Sequence, residues 1–172
     1  MTNQSFRDRV LAARTRAEQT PFDILIWGPG DQQNTIYRQK RIAVREALET
    51  QFGPDKIHFS EDDNLQDLVK KLGLRAAEHY EADVADVVIV IAESIGSIVE
   101  LALYGQLIAG KSIVFAEKRP ESESGFASIV LTRLNVQYIE SKEWETCERI
   151  RTLAKDFSEV LLLEKYKKTR SS

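Results

Sequence analysis

The stretch Ser94-Ile95-Gly96-Ser97-Ile98-Val99-Glu100 carries the residue types and spacing most suited to chemistry in this chain. It follows the apolar run "DVVIVIA" (residues 86–92) and continues into Leu101-Ala102-Leu103-Tyr104, so Glu100 is a carboxylate set among aliphatics. A carboxylate in such surroundings must be paired or must face a cavity. Spacing allows two arrangements if a helix starts near Ser97. In one, Ser97 and Glu100 form a capping box that satisfies the first amides of the helix. In the other, Glu100 lies one turn inside the helix and its carboxylate turns back towards the strand end, where a ligand would sit. Capping boxes belong mostly to solvated helix ends, and a helix that is apolar nearly all round favours the second arrangement. The helix end would favour the ionised carboxylate and burial would raise its pKa, a balance left open by sequence.

A second candidate is Trp27-Gly28-Pro29-Gly30-Asp31, after the apolar "FDILIW". Glycines at the end of a central strand let backbone amides approach a ligand, and the next helix start favours an anion. The plainer reading is a tight turn in which Asp31 or Asn34 caps the following helix. No Gly-Lys-Ser/Thr follows and the third glycine of a dinucleotide fingerprint is missing, so neither nucleotide-loop motif is present. Trp27 could stack on a base or be a core residue.

Other acids could reach the same edge. Glu78 and Glu81 fall near the end of the helix before "DVVIVIA", and a solvated helix end is the expectation for Glu81. Glu61, in Glu61-Asp62-Asp63, would stand near a pocket mouth or in a solvated loop. Arg38 and Arg41 suit either a phosphate or a solvated helix face. His58 and His79 are too far apart in sequence for a metal motif, so no metal site is expected.

The elements that must position these residues alternate. A helix capped by Ser5 runs to Gln19 with Phe6, Val10, Leu11 and Ala13 as its stripe. Strands are expected at "FDILIW", "KIHF", "DVVIVIA", "SIVFAE" and "VQYIE". Between them, helices are expected over 35–51 (with Ile36, Ile42, Ala43, Ala47 and Leu48), 65–82 with Gly73 as a weak point, 97–109 and 126–134. One long helix over 141–168 closes the chain. A strand apolar at every position is covered on both faces, so the sheet should be parallel. The expected fold is a single α/β domain: a doubly wound, five-stranded parallel sheet with helices on both faces, Rossmann or flavodoxin-like, with ligands at the carboxyl ends of the strands.

Composition bounds the partners. The chain has 172 residues, 42% hydrophobic and 30% charged, which suits one packed domain and excludes disordered and fibrous classes. Net charge is -3, with acids and bases interspersed, so duplex nucleic acid is not an expected partner. The single cysteine, Cys147, permits no internal disulfide and reads as a small hydrophobe. The first twenty residues are charged throughout, with no apolar leader, and no run approaches a membrane span. A cytoplasmic protein is expected.

"ADVVIVIAESIGSIVELALYGQLIAGKSIVF" (residues 85–115) resembles the signature of the nucleoside 2-deoxyribosyltransferase-like superfamily, including nucleotide N-glycosidase effectors of anti-phage systems. The shared features are an apolar strand opened by Asp86, a short loop, Gly96-Ser97-x-x-Glu100, and a helix leading to a strand after Gly110-Lys111. The resemblance spans about residues 22–115. It implies that Glu100 is a nucleophile attacking C1' of a nucleotide or nucleoside, deoxynucleotide or NAD, with hydrolysis or transfer as the outcome. NAD would be a substrate and no cofactor is implied. The position eight residues before Asp86 is often acidic in that family; here it is Glu78, where many members have Asp, with Glu61 as a second candidate. Ser94, Ser97 and the amides of Gly96 and Ser97 would hold a 5'-phosphate, and Gly28-Pro29-Gly30 corresponds to the family's glycine loop. A homo-oligomer is implied, and a protein partner if the chain serves defence. A non-catalytic nucleotide sensor on the same fold is the alternative, and a phosphoacceptor receiver is disfavoured because no acidic pair follows the first strand.

Overall fold

A computed structural model of the chain describes residues 5–29, 35–93, 95–118, 131 and 134–171. Five strands, β1 (Ile24–Trp27), β2 (Ile57–Phe59), β3 (Val87–Ile91), β4 (Ser112–Glu117) and β5 (Val136–Ile139), form one sheet in the order β2-β1-β3-β4-β5. Every pairing is parallel. The expected doubly wound α/β sheet is thus the observed one, and its centre is the strand that is apolar at every position. In β3, Val87, Ile89 and Ile91 enter one core, while Val88 and Val90 enter the other. Burial of each such side chain contributes about 1.5–3 kcal/mol, which is why the continuous run takes the middle of the sheet.

The helices divide between the two faces. On one lie α2 (Thr35–Phe52) and the long α7 (Glu148–Ser171), which contribute Val44, Leu48, Ile150, Ala154 and Leu162. The other carries α4 (Leu74–Val84) and α5 (Ile95–Ile108), which contribute Ala82, Leu101, Tyr104 and Ile108. Asp86, at the start of β3, fastens the amino edge. Its carboxylate accepts from the Asp23 amide at 3.0 Å and from Lys165 Nζ on α7 at 2.7 Å.

Several boundaries differ from the sequence expectations for identifiable reasons. Gly73 divides the helix expected over 65–82 into α3 (Asp63–Leu72) and α4, with φ of 83°, a conformation open to glycine. The closing helix is also two: α6 (Ser141–Thr146) ends at Cys147, whose φ of 60° is left-handed, and α7 begins one residue later. Cys147 itself is buried, as its hydrophobic character suggested. In α1 (Phe6–Glu18) Ser5 caps as expected, its Oγ accepting from the Asp8 amide at 3.2 Å. The expected stripe does not face the core, however: Phe6 is 75% exposed and Ala17 is the buried residue. On α2 the inward stripe is Lys40, Arg41, Val44 and Leu48 in place of Ile42, Ala43 and Ala47. The helix expected over 126–134 lies outside the described residues except for Leu131, which is buried, and Leu134.

Candidate active site

Helix α5 starts at Ile95, two residues before the expected start. Ser97 is therefore the third helical residue and Glu100 the sixth, so the two do not form a capping box, whose serine stands before the first turn. Ser97 is 1% exposed and shares the inward face of α5 with Leu101, Tyr104 and Ile108. Glu100 sits at the margin of that face, half-buried. Its Oε2 is shut off from solvent and has no hydrogen-bond partner among the described residues. Burial pushes the carboxyl up to about 7; repulsion from Glu78 and Glu61 adds to the rise, and Arg41 opposes it. The sequence left that balance open, and burial wins.

Glu78 comes to the same place from α4. Tyr104 Oη stands 3.0 Å from Glu78 Oε2 and 3.2 Å from the Arg75 carbonyl, so the phenol donates its one proton within this pair of acceptors. Burial pushes Tyr104 up to about 12, helped by the hydrogen bond and the charge of Glu78, and it remains a donor in the neutral range. Tyr104 was not legible as a site residue except through its position four residues after Glu100 on an apolar helix, where a polar-tipped aromatic needs a partner.

The glycine loop acts differently from the expectation. Arg41, from α2, is buried and reaches across its base. Its Nη1 donates to the Pro29 carbonyl at 2.9 Å, its Nη2 to the Ile26 carbonyl at 3.3 Å, and both nitrogens bind Glu61, at 2.6 and 2.8 Å. A Cβ on Gly28 would lie 3.0 Å from Arg41 Cδ and 3.1 Å from Ile91 Cβ. Close packing thus accounts for the glycine, and the loop's carbonyls are engaged by an arginine. Arg41 is neither a solvated helix residue nor a free phosphate ligand, and Glu61 is its bidentate counter-ion. The sign in the sequence was its place three residues before Val44 and seven before Leu48, on the inward stripe.

Trp27 is 2% exposed, which puts its ring in the core and not on a surface where a base could stack. The ring lies 5.7 Å from that of Tyr104, and its Nε1 donates to Ser60 Oγ at 3.0 Å. Gly30, Asp31 and Ser94 lie outside the described residues. Gly96 is the second residue of α5, where backbone amides have no acceptor within the helix.

Glu81 departs furthest from expectation. It is 4% exposed instead of solvated, and neither carboxylate oxygen has a hydrogen-bond partner among the described residues. Burial raises its pKa, Glu78 and Glu61 raise it further, and the nearby Ser60 hydroxyl offsets part of the rise without a well-formed hydrogen bond. On the opposite face of the sheet, Lys40 Nζ lies 3.7 Å from Glu93 Oε1 and 5.1 Å from the Trp144 ring centre, both charged side chains being buried. This pair anchors Glu93, two residues after β3, in the segment that leads to α5.

Glu100, Glu78 and Glu61 therefore form one electrostatically coupled group, with Tyr104 holding Glu78 and Arg41 holding Glu61, and Glu81 joins it through Glu78 and Glu61. A half-buried carboxylate with a free oxygen beside a second, hydrogen-bonded carboxylate can divide nucleophile and acid roles between them. Among the described residues, no group of three or more His, Cys, Asp or Glu could hold a metal ion, and no helix is long and apolar enough to cross a membrane. No protein-family model matches the chain, and no curated protein matches it.

Proposed function

We propose that the chain cleaves or transfers the N-glycosidic bond of a nucleotide, as an enzyme of the nucleoside 2-deoxyribosyltransferase-like type. The observation that carries this reading is the half-buried Glu100 carboxylate, whose Oε2 has no hydrogen-bond partner among the described residues, coupled to a second carboxylate, Glu78, that a tyrosine holds in place. Cleavage builds positive charge at C1', which a carboxylate can stabilise or trap. Glu100 attacks C1' as the bond from C1' to the base nitrogen breaks, and the departing base takes a proton from Glu78. Water, giving its proton back to Glu78, then displaces Glu100 from C1'; in a transferase a second base would do so.

The amides of Gly96 and Ser97, in the first turn of α5, would face a 5'-phosphate. Arg41 has no part in this, because its guanidinium is committed to Glu61 and to loop carbonyls. Deoxynucleotides and ribonucleotides share this chemistry; with NAD as the substrate, nicotinamide would leave from its cationic nitrogen as a neutral molecule without a proton, and Glu78 would act only as the base that takes the proton of water. A homo-oligomer and a cytoplasmic setting, in salvage or in anti-phage defence with a protein partner, belong to the same proposal. Val99 and Leu103 support the oligomer: they are 47% and 54% exposed on the outer side of the helix that carries Glu100.

The test is to incubate the protein and its Glu100→Gln variant with NAD, ribonucleotides and deoxyribonucleotides, and to follow free bases by mass spectrometry. Base release by the parent protein, lost in the variant, is the expected result. Tight nucleotide binding without base release would overturn it in favour of a nucleotide-sensing domain.

A further inference from the structure

A cleft opens between α3, α4 and the β1–β2 side of the sheet, and Glu100 is not among its lining residues. Its volume is about 320 Å³. Leu25, Leu65, Leu68, Tyr80 and Val84 supply its apolar walls, and Glu81 is part of the wall. Two features of this cleft call for an occupant. Tyr80 and Val84, one turn apart on α4, are 54% and 72% exposed at its side, so apolar surface is left open to water. Glu81 is removed from water and, among the described residues, neither oxygen makes a well-formed hydrogen bond, the Ser60 hydroxyl nearby offsetting only part of the cost of its burial, so a stronger donor would lower its free energy. At the wall by β1 and β2, Asp23 Oδ1 is hydrogen-bonded to His58 Nε2 at 2.9 Å and adds a second acidic group.

We propose that this cleft binds a small cationic amine with an apolar body, its ammonium paired with Glu81 and its body packed on Leu25, Leu68 and Val84. The chemistry is selective in both parts. An apolar molecule without a donor leaves Glu81 unpaired, and an anion meets Glu81 together with its neighbours Glu78 and Glu61. The terminal torsion of a glutamate is broad and soft, so the carboxyl can turn to a donor arriving from the cleft. Burial, with repulsion from Glu78 and Glu61, raises the pKa of Glu81, and an ammonium beside it would oppose that rise. Nothing in this site uses Glu100, so it stands whether or not the chain cleaves glycosides.

The probe is benzylamine, with benzyl alcohol as its uncharged counterpart, titrated into methyl-labelled protein and followed by NMR. Saturable shifts at the methyl groups of Leu25, Leu65, Leu68 and Val84 are expected with benzylamine. Binding should weaken at least tenfold for benzyl alcohol and for Glu81→Gln, and Leu68→Trp, which fills the cleft, should abolish it. If Glu81→Gln does not fold, the alcohol and Leu68→Trp decide the question. The proposal is overturned by absence of saturable shifts, by equal binding of amine and alcohol, or by shifts centred on α5 methyl groups instead.

Discussion

Tyr104 and Glu78 join two helices: the phenol on α5 stands 3.0 Å from the carboxylate on α4, one turn beyond Glu100. The proposed proton donor is therefore positioned from the same helix that carries the proposed nucleophile. Tyr104→Phe removes this hydrogen bond and leaves the packing against Trp27 in place. It should lower kcat about tenfold with little change in KM, as a loss of about 1.4 kcal/mol felt in the transition state. Steady-state kinetics on the cleaved glycoside, beside a circular dichroism spectrum, would check it; unchanged kcat removes Tyr104 from the mechanism.

The Glu100 carboxyl, pushed up to about 7 from 4.5, makes stability depend on pH with a definite sign. Between those values the folded chain keeps a proton that the unfolded chain gives up, so stability falls as pH rises through this window. The full cost, on the order of 3 kcal/mol, is present only above the folded pKa. Glu100→Gln escapes it. Its Tm should exceed that of the parent protein at pH 8 and approach it towards pH 4.5, and a constant difference would refute the assignment.

The same group predicts the rate profile. A nucleophile must be ionised, so kcat/KM should rise through about pH 7 as Glu100 loses its proton. A profile that instead falls through this range would assign the proton-donor role to Glu100 and the nucleophile to Glu78.

Gly28 and Arg41 pack as a unit, and each has its own expected cost. Gly28→Ala places a Cβ 3.1 Å from Ile91 Cβ on the central sheet and should destabilise by about 1–3 kcal/mol. Arg41→Lys cannot hold both Glu61 oxygens and the Pro29 carbonyl, and should cost about 3 kcal/mol. Urea denaturation measures both; losses below about 0.5 kcal/mol, the range of ordinary surface changes, would contradict the packing described.

Val99 and Leu103 give a test of assembly that leaves the core untouched, since both point outward. Replacing either by Glu should shift the molar mass in light scattering from oligomer to monomer while leaving the circular dichroism spectrum of the folded chain unchanged. A parent protein that is already monomeric at micromolar concentration would defeat the oligomer proposal.

The fold was legible because its signals are local. A run of apolar residues without alternation, as in "DVVIVIA", needs cover on both faces, and Gly73 interrupts a helix through its own backbone preference. Glu100 was legible for a related reason: a lone carboxylate in an apolar helix violates the pattern of its own neighbours. What the sequence by itself determined is the α/β alternation, the parallel sheet and the position of that exception.

Only the tertiary structure decided which polar residues turn inward. Arg41 and Lys40 take inward positions on α2 that their charges would forbid in isolation, because Glu61 and Glu93 arrive from other elements to meet them. Glu81 is buried because α4 lies against the sheet with that side inward, and Trp27 is core because Tyr104 packs on it from α5. The desolvation of a charge and the arrival of its partner depend on residues distant in sequence. Local periodicity carries neither, so these choices appear only when the chain has closed on itself.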